Sequence, residues 1–327
     1  MNIATNLNEI VVALRAGQRF VVLTHIHPDG DAIGSQLAMQ SLLKGMGKEH
    51  VLCAGEEGAP AIYKWMPGAL EILHPGAVTG PYDTVVVVDV SQKERIGLGQ
   101  SLIKQGVKVV VVDHHLEKHP FGDLNFIDPT YAATGEIMVE LFEAAGVELG
   151  PEAAVCAYVA LATDTGGFRF ENTTPRTHRL AAACVEKGVK VAEVSGQIFE
   201  TMPLPKFRLL NRILPRVTLA ENGTVAHAKV TRGDMSDVGA KAEDVDGLIT
   251  FARNIAGVRV AVLLRESDNG ITKVSMRARN GFNAAEFLKL FGGGGHAGAA
   301  GATLSMTLDA AETAILDALH TKLGGSQ

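Results

Sequence analysis

Aromatic side chains are scarce in this chain: they make up 5% of its 327 residues, with a single Trp. The core must therefore rest on Val, Leu, Ile and Ala, as the interiors of parallel α/β sheets often do. Cysteine is also rare. Cys53, Cys156 and Cys184 are odd in number and form no C-x-x-C pair, which argues against a disulfide framework and for buried free thiols in a reducing compartment. A basic excess is missing too. The net charge is −6, the wrong sign for a bulk duplex-DNA binder. No run approaches the ~20 apolar residues that span a bilayer. The first residues lack a basic stretch and carry Glu9 among their apolar positions, so no signal peptide and a cytoplasmic, membrane-free protein are expected.

What is present is an alternation of short β-branched runs and helical patterns. Phe20–Leu23, Val85–Val88 and Val109–Val112 read as parallel strands buried on both faces, and each run is followed by polar residues. After Asp31, the apolar residues Met39, Leu42, Leu43 and Met46 fall at i, i+3, i+4 and i+7, with Gly47 as a stop. Thr134–Ala145 and Pro151–Thr163 are predicted as further helices. This is the pattern of a doubly wound α/β domain, with ligand chemistry at the carboxyl ends of its strands.

The pattern changes after about Gly188. Met202–Pro215, bracketed by prolines, reads as a connector with room for a short helix. A smaller α/β unit follows: a strand over Thr224–Thr231, a helix over Ala242–Asn254, and a hairpin pairing Val258–Leu264 with Ile271–Arg277 across an Asn-Gly turn. A helix from Asn283 runs to the glycine run Gly292–Gly295, and a last helix covers Asp309–Leu323. Residues 251–296 contain seven Lys/Arg and three Asp/Glu, a local +4 against −10 for the rest, which suggests a focused anion site.

The densest chemistry is His25-Ile-His-Pro-Asp-Gly-Asp31, between the first strand and the first long helix. Two His and two Asp, pinned by Pro28 and Gly30, suit Mn, Fe or Zn better than Ca. The bland alternative is a polar turn in which Asp31 caps a helix. Two more acidic strand ends, Asp89 and Asp113-His114-His115, weaken that alternative, because parallel strand ends open onto one crevice. Asp164, at the end of an apolar helix, is a fourth acidic position. Carboxylates gathered there would be costly without a cation. His50, His74, His119, His178 and His227 stand in no such cluster and read as surface or structural histidines. In the second unit, backbone N–H groups of Gly293, Gly294 and Gly295 beside His296 can line an anion pocket. Strand alternation puts Ser275, Arg277 and Arg279 on one face, suited to phosphate.

Together, HIHPDGDAIGS (25–35), VVVVD (85–89), VVVVDHH (109–115), ATDTGGF (162–168) and FGGGGHAGAAG (291–301) resemble the DHH/DHHA1 phosphoesterase superfamily over nearly the whole chain and in order. The length and domain pair are most similar to its oligoribonuclease/pAp phosphatase branch. The resemblance implies a DHH catalytic domain over residues 1–190, a linker over 191–220 and a DHHA1 substrate-binding domain over 221–327. It implies two metal ions, usually Mn²⁺: one on His25, Asp29 and Asp89, the other on Asp31, Asp89, His114 and Asp164. Asp113 would orient its neighbours and His115 would face the scissile phosphate. Arg277, the glycine loop and His296 would hold the far end of the substrate. His27 has no role in this scheme. The activity implied is hydrolysis of short single-stranded RNA or 3′-phosphoadenosine 5′-phosphate (pAp) to mononucleotides. Cleavage of linear dinucleotides, an inorganic pyrophosphatase and a non-catalytic nucleotide-binding regulator are the competing expectations. A homodimer is an option by family analogy alone.

Overall fold

The structure is a computed structural model describing residues 6–324, apart from 91, 117–119 and 280. The chain divides into two compact units, the first ending at Thr201 and the second beginning at Met202. No helix of the described residues is long and apolar enough to cross a membrane.

The first unit begins with α1 (Leu7–Ala16), β1 (Arg19–Leu23), α2 (Gly30–Gly45) and β2 (His50–Ala54). It continues through β3 (Thr84–Val88), β4 (Lys108–Asp113), β5 (Leu124–Ile127), α3 (Thr134–Ala145), α4 (Pro151–Asp164), α5 (Pro175–Glu186) and α6 (Val191–Ser195). The five strands form an all-parallel sheet in the order β2-β1-β3-β4-β5. Its central strand β3 is buried along its whole length, which is why its sequence is an unbroken run of β-branched residues. Each Val side chain removed from water in this way stabilises the fold by roughly 1.5–3 kcal/mol. The strand order reverses direction between β1 and β3, and the crevice beyond such a switch point is where open α/β sheets hold their ligands.

Three helices converge on that crevice. Most of α2 is buried all round rather than on one stripe, because it is packed between the sheet and α4. The contact is backbone-close: a Cβ on Gly34 would lie 2.4 Å from the carbonyl oxygen of Cys156, and one on Gly135 would lie 2.4 Å from the Cβ of Ala160. Only glycine permits these approaches, and they fix where the first turns of α2 and α3 lie relative to α4. The helix expected from Pro151 runs to Asp164, so this carboxylate is the last residue of α4. Cys53, Cys156 and Cys184 are buried and unpaired.

The second unit comprises α7 (Leu204–Ile213), β6 (Thr218–Ala220), β7 (Val225–Val230), α8 (Arg232–Val238), α9 (Ile249–Arg253), β8 (Val260–Glu266) and β9 (Thr272–Ala278). It ends with α10 (Ala284–Leu288), β10 (Gly294–His296), β11 (Ala299–Leu304) and α11 (Leu308–Gly324). Its six-stranded mixed sheet has the order β10-β11-β9-β8-β7-β6, with β7 and β8 parallel and the other pairs antiparallel. Alternation sends Val260, Val262 and Leu264 to a core with Phe287, Ile315 and Leu319. Ala261 and Leu263 face the opposite core, where Leu209, Leu210 and Ile213 of α7 are packed. The segment read as a connector therefore carries a ten-residue helix with a buried face.

The hairpin expected across the Asn-Gly turn forms between β8 and β9, with Asn269 and Gly270 both in the left-handed region. The single helix expected over Ala242–Asn254 does not form. A 3₁₀ turn over Ala242–Val245 and α9 are separated by Gly247 at φ +79°, a conformation that an α-helix cannot carry.

Candidate active site

The first side chain beyond β1 to enter the crevice is His25, which is 6% exposed. Its Nδ1 lies 2.8 Å from the carbonyl oxygen of Ile26, which can only accept. Nδ1 therefore carries the proton, and Nε2 offers its lone pair to the crevice, where Asp89 Oδ2 is 3.5 Å away and Asp29 Oδ1 is 4.0 Å away. This is the orientation a metal-binding imidazole takes when a second group fixes its tautomer. Burial lowers the pKa of His25 below its ordinary value, with Asp29 opposing. Asp29 is the N-cap of α2, its side chain accepting from Ala32 N. The next acid, Asp31, is fully buried and accepts from Ser35 Oγ (2.9 Å), Thr134 N (2.7 Å) and Gly135 N (2.9 Å). Even so, burial and the charge of Asp29 push its pKa up to about 7. His27 is turned to solvent, 2.9 Å from Glu57, and takes no part in the cluster.

Asp89 follows β3 with its backbone in the left-handed region at φ +59°. That conformation is uncommon outside glycine, though Asp and Asn tolerate it best. Its Oδ1 accepts from the Thr134 hydroxyl at 3.0 Å and lies 3.6 Å from both His114 Nε2 and His115 Nδ1. Asp113 is the last residue of β4. Its Oδ1 accepts from His114 N, His115 N and His115 Nδ1 (2.8 Å). Burial works against the ionised form of Asp113, but the hydrogen bonds and charge of His115 outweigh it and hold the pKa below the usual range. For His115 burial disfavours the cation, and the Asp113 contact reverses the balance and raises the pKa. His114 Nε2 faces Asp31 Oδ2 (3.6 Å) and Asp164 Oδ2 (3.3 Å). Burial, then the charges of their acidic neighbours, raises the pKa of both Asp89 and Asp164 well above normal.

The ligand atoms fall into overlapping sets in which all members lie within 4.8 Å: His25, Asp29 and Asp89; Asp31, His114 and Asp164; and Asp89, Asp113, His114 and His115. Divalent cations fit this donor set. Buried carboxylates that resist ionisation lie beside imidazole lone pairs and need positive charge, and mixed carboxylate–imidazole donors suit Mn, Fe or Zn. Every residue expected as a metal ligand is thus brought into one crevice. Sequence reading missed two neighbours. Thr134 touches Asp31 and Asp89. Arg95 is an exposed residue whose carbonyl accepts from Ile26 N at 2.8 Å and whose charge opposes protonation of both His25 and His115. Arg95 lies seven residues past the end of β3, where no motif marks it.

In the second unit, Ser275 and Arg277 share a face of β9 as alternation requires, because the residues flanking them are buried on the other side. Arg279 departs from the expectation. The strand ends at Ala278, and the Arg279 guanidinium donates to the carbonyls of Val258 (2.8 Å) and Ile255 (3.1 Å). Burial lowers the pKa of Arg277; Asp246 supports its charge and Arg253 opposes it. The glycine run is only partly a loop. Gly294–His296 form an edge strand antiparallel to β11. Cβ atoms on Gly293 and Gly295 would lie 2.4 Å and 2.6 Å from the carbonyls of Gly301 and Ala299. The side chain of His296, like the whole of His119, lies outside the described residues. His227 pairs with Glu312 at 3.0 Å, a structural contact.

Comparison with known proteins accords with this arrangement. The family signature of the DHH family, N-terminal domain, matches residues 19–163, and that of the DHHA1 domain matches residues 222–324. The chain is 36% identical over 303 residues to a Thermus thermophilus protein named bifunctional oligoribonuclease and PAP phosphatase NrnA, covering 92% of this chain and 89% of that one. It is 28% identical over 302 residues to the Bacillus subtilis protein of the same name, covering 90% and 92%. The crystal structure of an exopolyphosphatase-related protein from Bacteroides fragilis shares the fold, with a TM-score of 0.91 at 23% identity, covering 97% of this chain and 96% of that one.

Proposed function

The chain belongs to the DHH family of phosphoesterases, and from that premise we propose that it hydrolyses short oligoribonucleotides and pAp to mononucleotides, using two Mn²⁺ ions. The observation that carries this reading is the sharing of Asp89: one buried carboxylate directs Oδ2 toward His25 and Oδ1 toward His114, so two ligand sets meet at a single residue. When bound there, a pair of divalent cations supplies activation of a water nucleophile and neutralisation of phosphate charge.

The chain's own groups do the rest. His25, Asp29 and Asp89 form one ligand set, and Asp31, Asp89, His114 and Asp164 the other. His115, held by Asp113 at 2.8 Å in a contact that raises its pKa, donates a hydrogen bond or a proton to the scissile phosphate. In the second unit, Ser275, Arg277 and the N–H groups of Gly293, Gly294 and Gly295 bind the end of the substrate that is not cleaved. A desolvated guanidinium such as that of Arg277 is suited to a phosphate. The net charge of −6 argues against a bulk duplex-DNA binder. We assign the enzyme to the cytoplasm, where nucleotide substrates occur and three buried thiols stay reduced.

Mononucleotide or phosphate release in Mn²⁺ from an RNA trinucleotide, pAp and pyrophosphate tests the reading, with His114→Ala as control. Release from the first two, lost in the control, is the expected result. Cleavage of pyrophosphate alone would move the enzyme to the pyrophosphatases, and turnover of none would leave a nucleotide-binding protein. Arg277→Ala is expected to raise KM for pAp and the trinucleotide about 10- to 100-fold, the worth of one charge-assisted hydrogen bond. Because the guanidinium acts on the uncleaved end, kcat should change far less, and steady-state kinetics on both substrates separates the two effects.

A further inference from the structure

The first turn of α3 reaches both ligand sets through a single residue. Thr134 is fully buried. Its main-chain N–H donates to Asp31 Oδ2 at 2.7 Å, and its hydroxyl donates to Asp89 Oδ1 at 3.0 Å. The next N–H, that of Gly135, completes the grip on Asp31 at 2.9 Å. This turn is itself anchored. Ala132 N donates to Glu136 Oε2 at 3.0 Å, and Ala132 O accepts from Asn172 Nδ2 at 3.0 Å. The same Asn172 amide donates to the carbonyl of Asp164, 3.2 Å away, so the turn and the end of α4 are tied together.

The hydroxyl contact breaks a symmetry. The two oxygens of a carboxylate are chemically equivalent and exchange by rotation about a single bond. At Asp89 they are not equivalent. Oδ1 takes the Thr134 hydroxyl and faces His114 and His115, while Oδ2 faces His25. A neutral hydroxyl can do this without adding charge to a crevice that must bind cations. A lysine or arginine in its place would compete with them.

We propose that Thr134 is a positioning residue that fixes the orientation of the Asp89 carboxylate, so that one oxygen is presented to each cation pocket. The inference rests on the two-cation reading above and adds a residue to it. Partners of this kind, lying behind the ligands themselves, typically affect metal affinity 10- to 100-fold. The main-chain bonds to Asp31 do not depend on the side chain, so side-chain substitution isolates the Asp89 contact.

The test is a calorimetric titration of the metal-free protein with MnCl₂, comparing wild type, Thr134→Val, Thr134→Ala and Thr134→Ser. Wild type should take up two ions. Thr134→Val, close to threonine in shape, should bind the weaker of the two about 10- to 100-fold less tightly. Thr134→Ala gives the same comparison if the valine variant does not fold, and Thr134→Ser should restore most of the affinity. In steady-state assays at limiting Mn²⁺, kcat should fall in the valine and alanine variants while KM for pAp stays near the wild-type value. Two-ion binding by the valine and alanine variants at wild-type affinity would overturn the inference alone. A wild-type protein that binds fewer than two ions would overturn the two-cation reading and the inference with it.

Discussion

Asp89→Asn is expected to lower Mn²⁺-dependent hydrolysis by about 10³-fold or more, since a cation's charge stabilisation is worth several kcal/mol and each 1.36 kcal/mol is tenfold in rate. Asparagine is the informative replacement. It keeps the shape of the side chain and tolerates the left-handed backbone at this position, φ +59°, so a loss of rate reports the lost charge rather than a distorted turn. The same substitution should raise the melting temperature of the metal-free protein. Asp89 is 1% exposed and surrounded by other carboxylates, which together with burial drive its pKa up. Removing a buried like charge relieves that repulsion. Thus the variant should be less active and, without metal, more stable; kinetics and a thermal melt in chelator read the two effects. Retained full activity would show that the crevice does not work through a shared carboxylate.

The metal-free protein should also lose stability as pH rises from about 3.8 to about 7. Unfolded, the Asp31 carboxyl releases its proton near 3.8; folded, burial and Asp29 hold it up to about 7. Between those values the folded state keeps a proton that the unfolded state has lost. The contribution of this group is therefore full below about 3.8, declines across the window and is gone above about 7. A displacement of that size corresponds to roughly 4 kcal/mol. Asp89 and Asp164 are displaced in the same direction, as is His115. His25 works against them, because its lowered pKa costs stability as pH falls. Saturating Mn²⁺ should abolish the decline, because the metal binds the deprotonated carboxylates. Thermal melts across that range with chelator and with MnCl₂ measure both limbs, and a flat metal-free profile would refute the prediction.

Much of the metal crevice was legible before any coordinates, and the reason is local. Val85–Val88 and Val109–Val112 read as buried strands, and an acid immediately after such a run sits at the carboxyl end of the sheet. Asp164 was readable in the same way, from the apolar helix it terminates. Other features depended on where elements stop or on distant partners. Alternation placed Arg279 with Arg277, but the strand ends one residue earlier and the side chain turns back to Ile255 and Val258. Gly247 splits a helix that periodicity alone would carry through. The glycine run looked like a loop, because pairing of Gly294 with Gly301 is a property of the sheet and not of the segment. Thr134 carried no signal at all: a threonine opening a helix is unremarkable until its partner Asp31, 103 residues earlier, is brought alongside.

That separation bears on how the first unit assembles. The crevice draws on residues from His25 to Asp164, delivered by three strand ends and the termini of three helices whose spacing is locked by the glycine contacts at Gly34 and Gly135. A partly collapsed chain does not bring the sequence-distant segments around His25, Asp89, His114 and Asp164 together, so full cation affinity arises only when the last helix has docked. Cations would then act on the far side of the folding barrier, slowing escape from the native state while leaving the rate of reaching it unchanged.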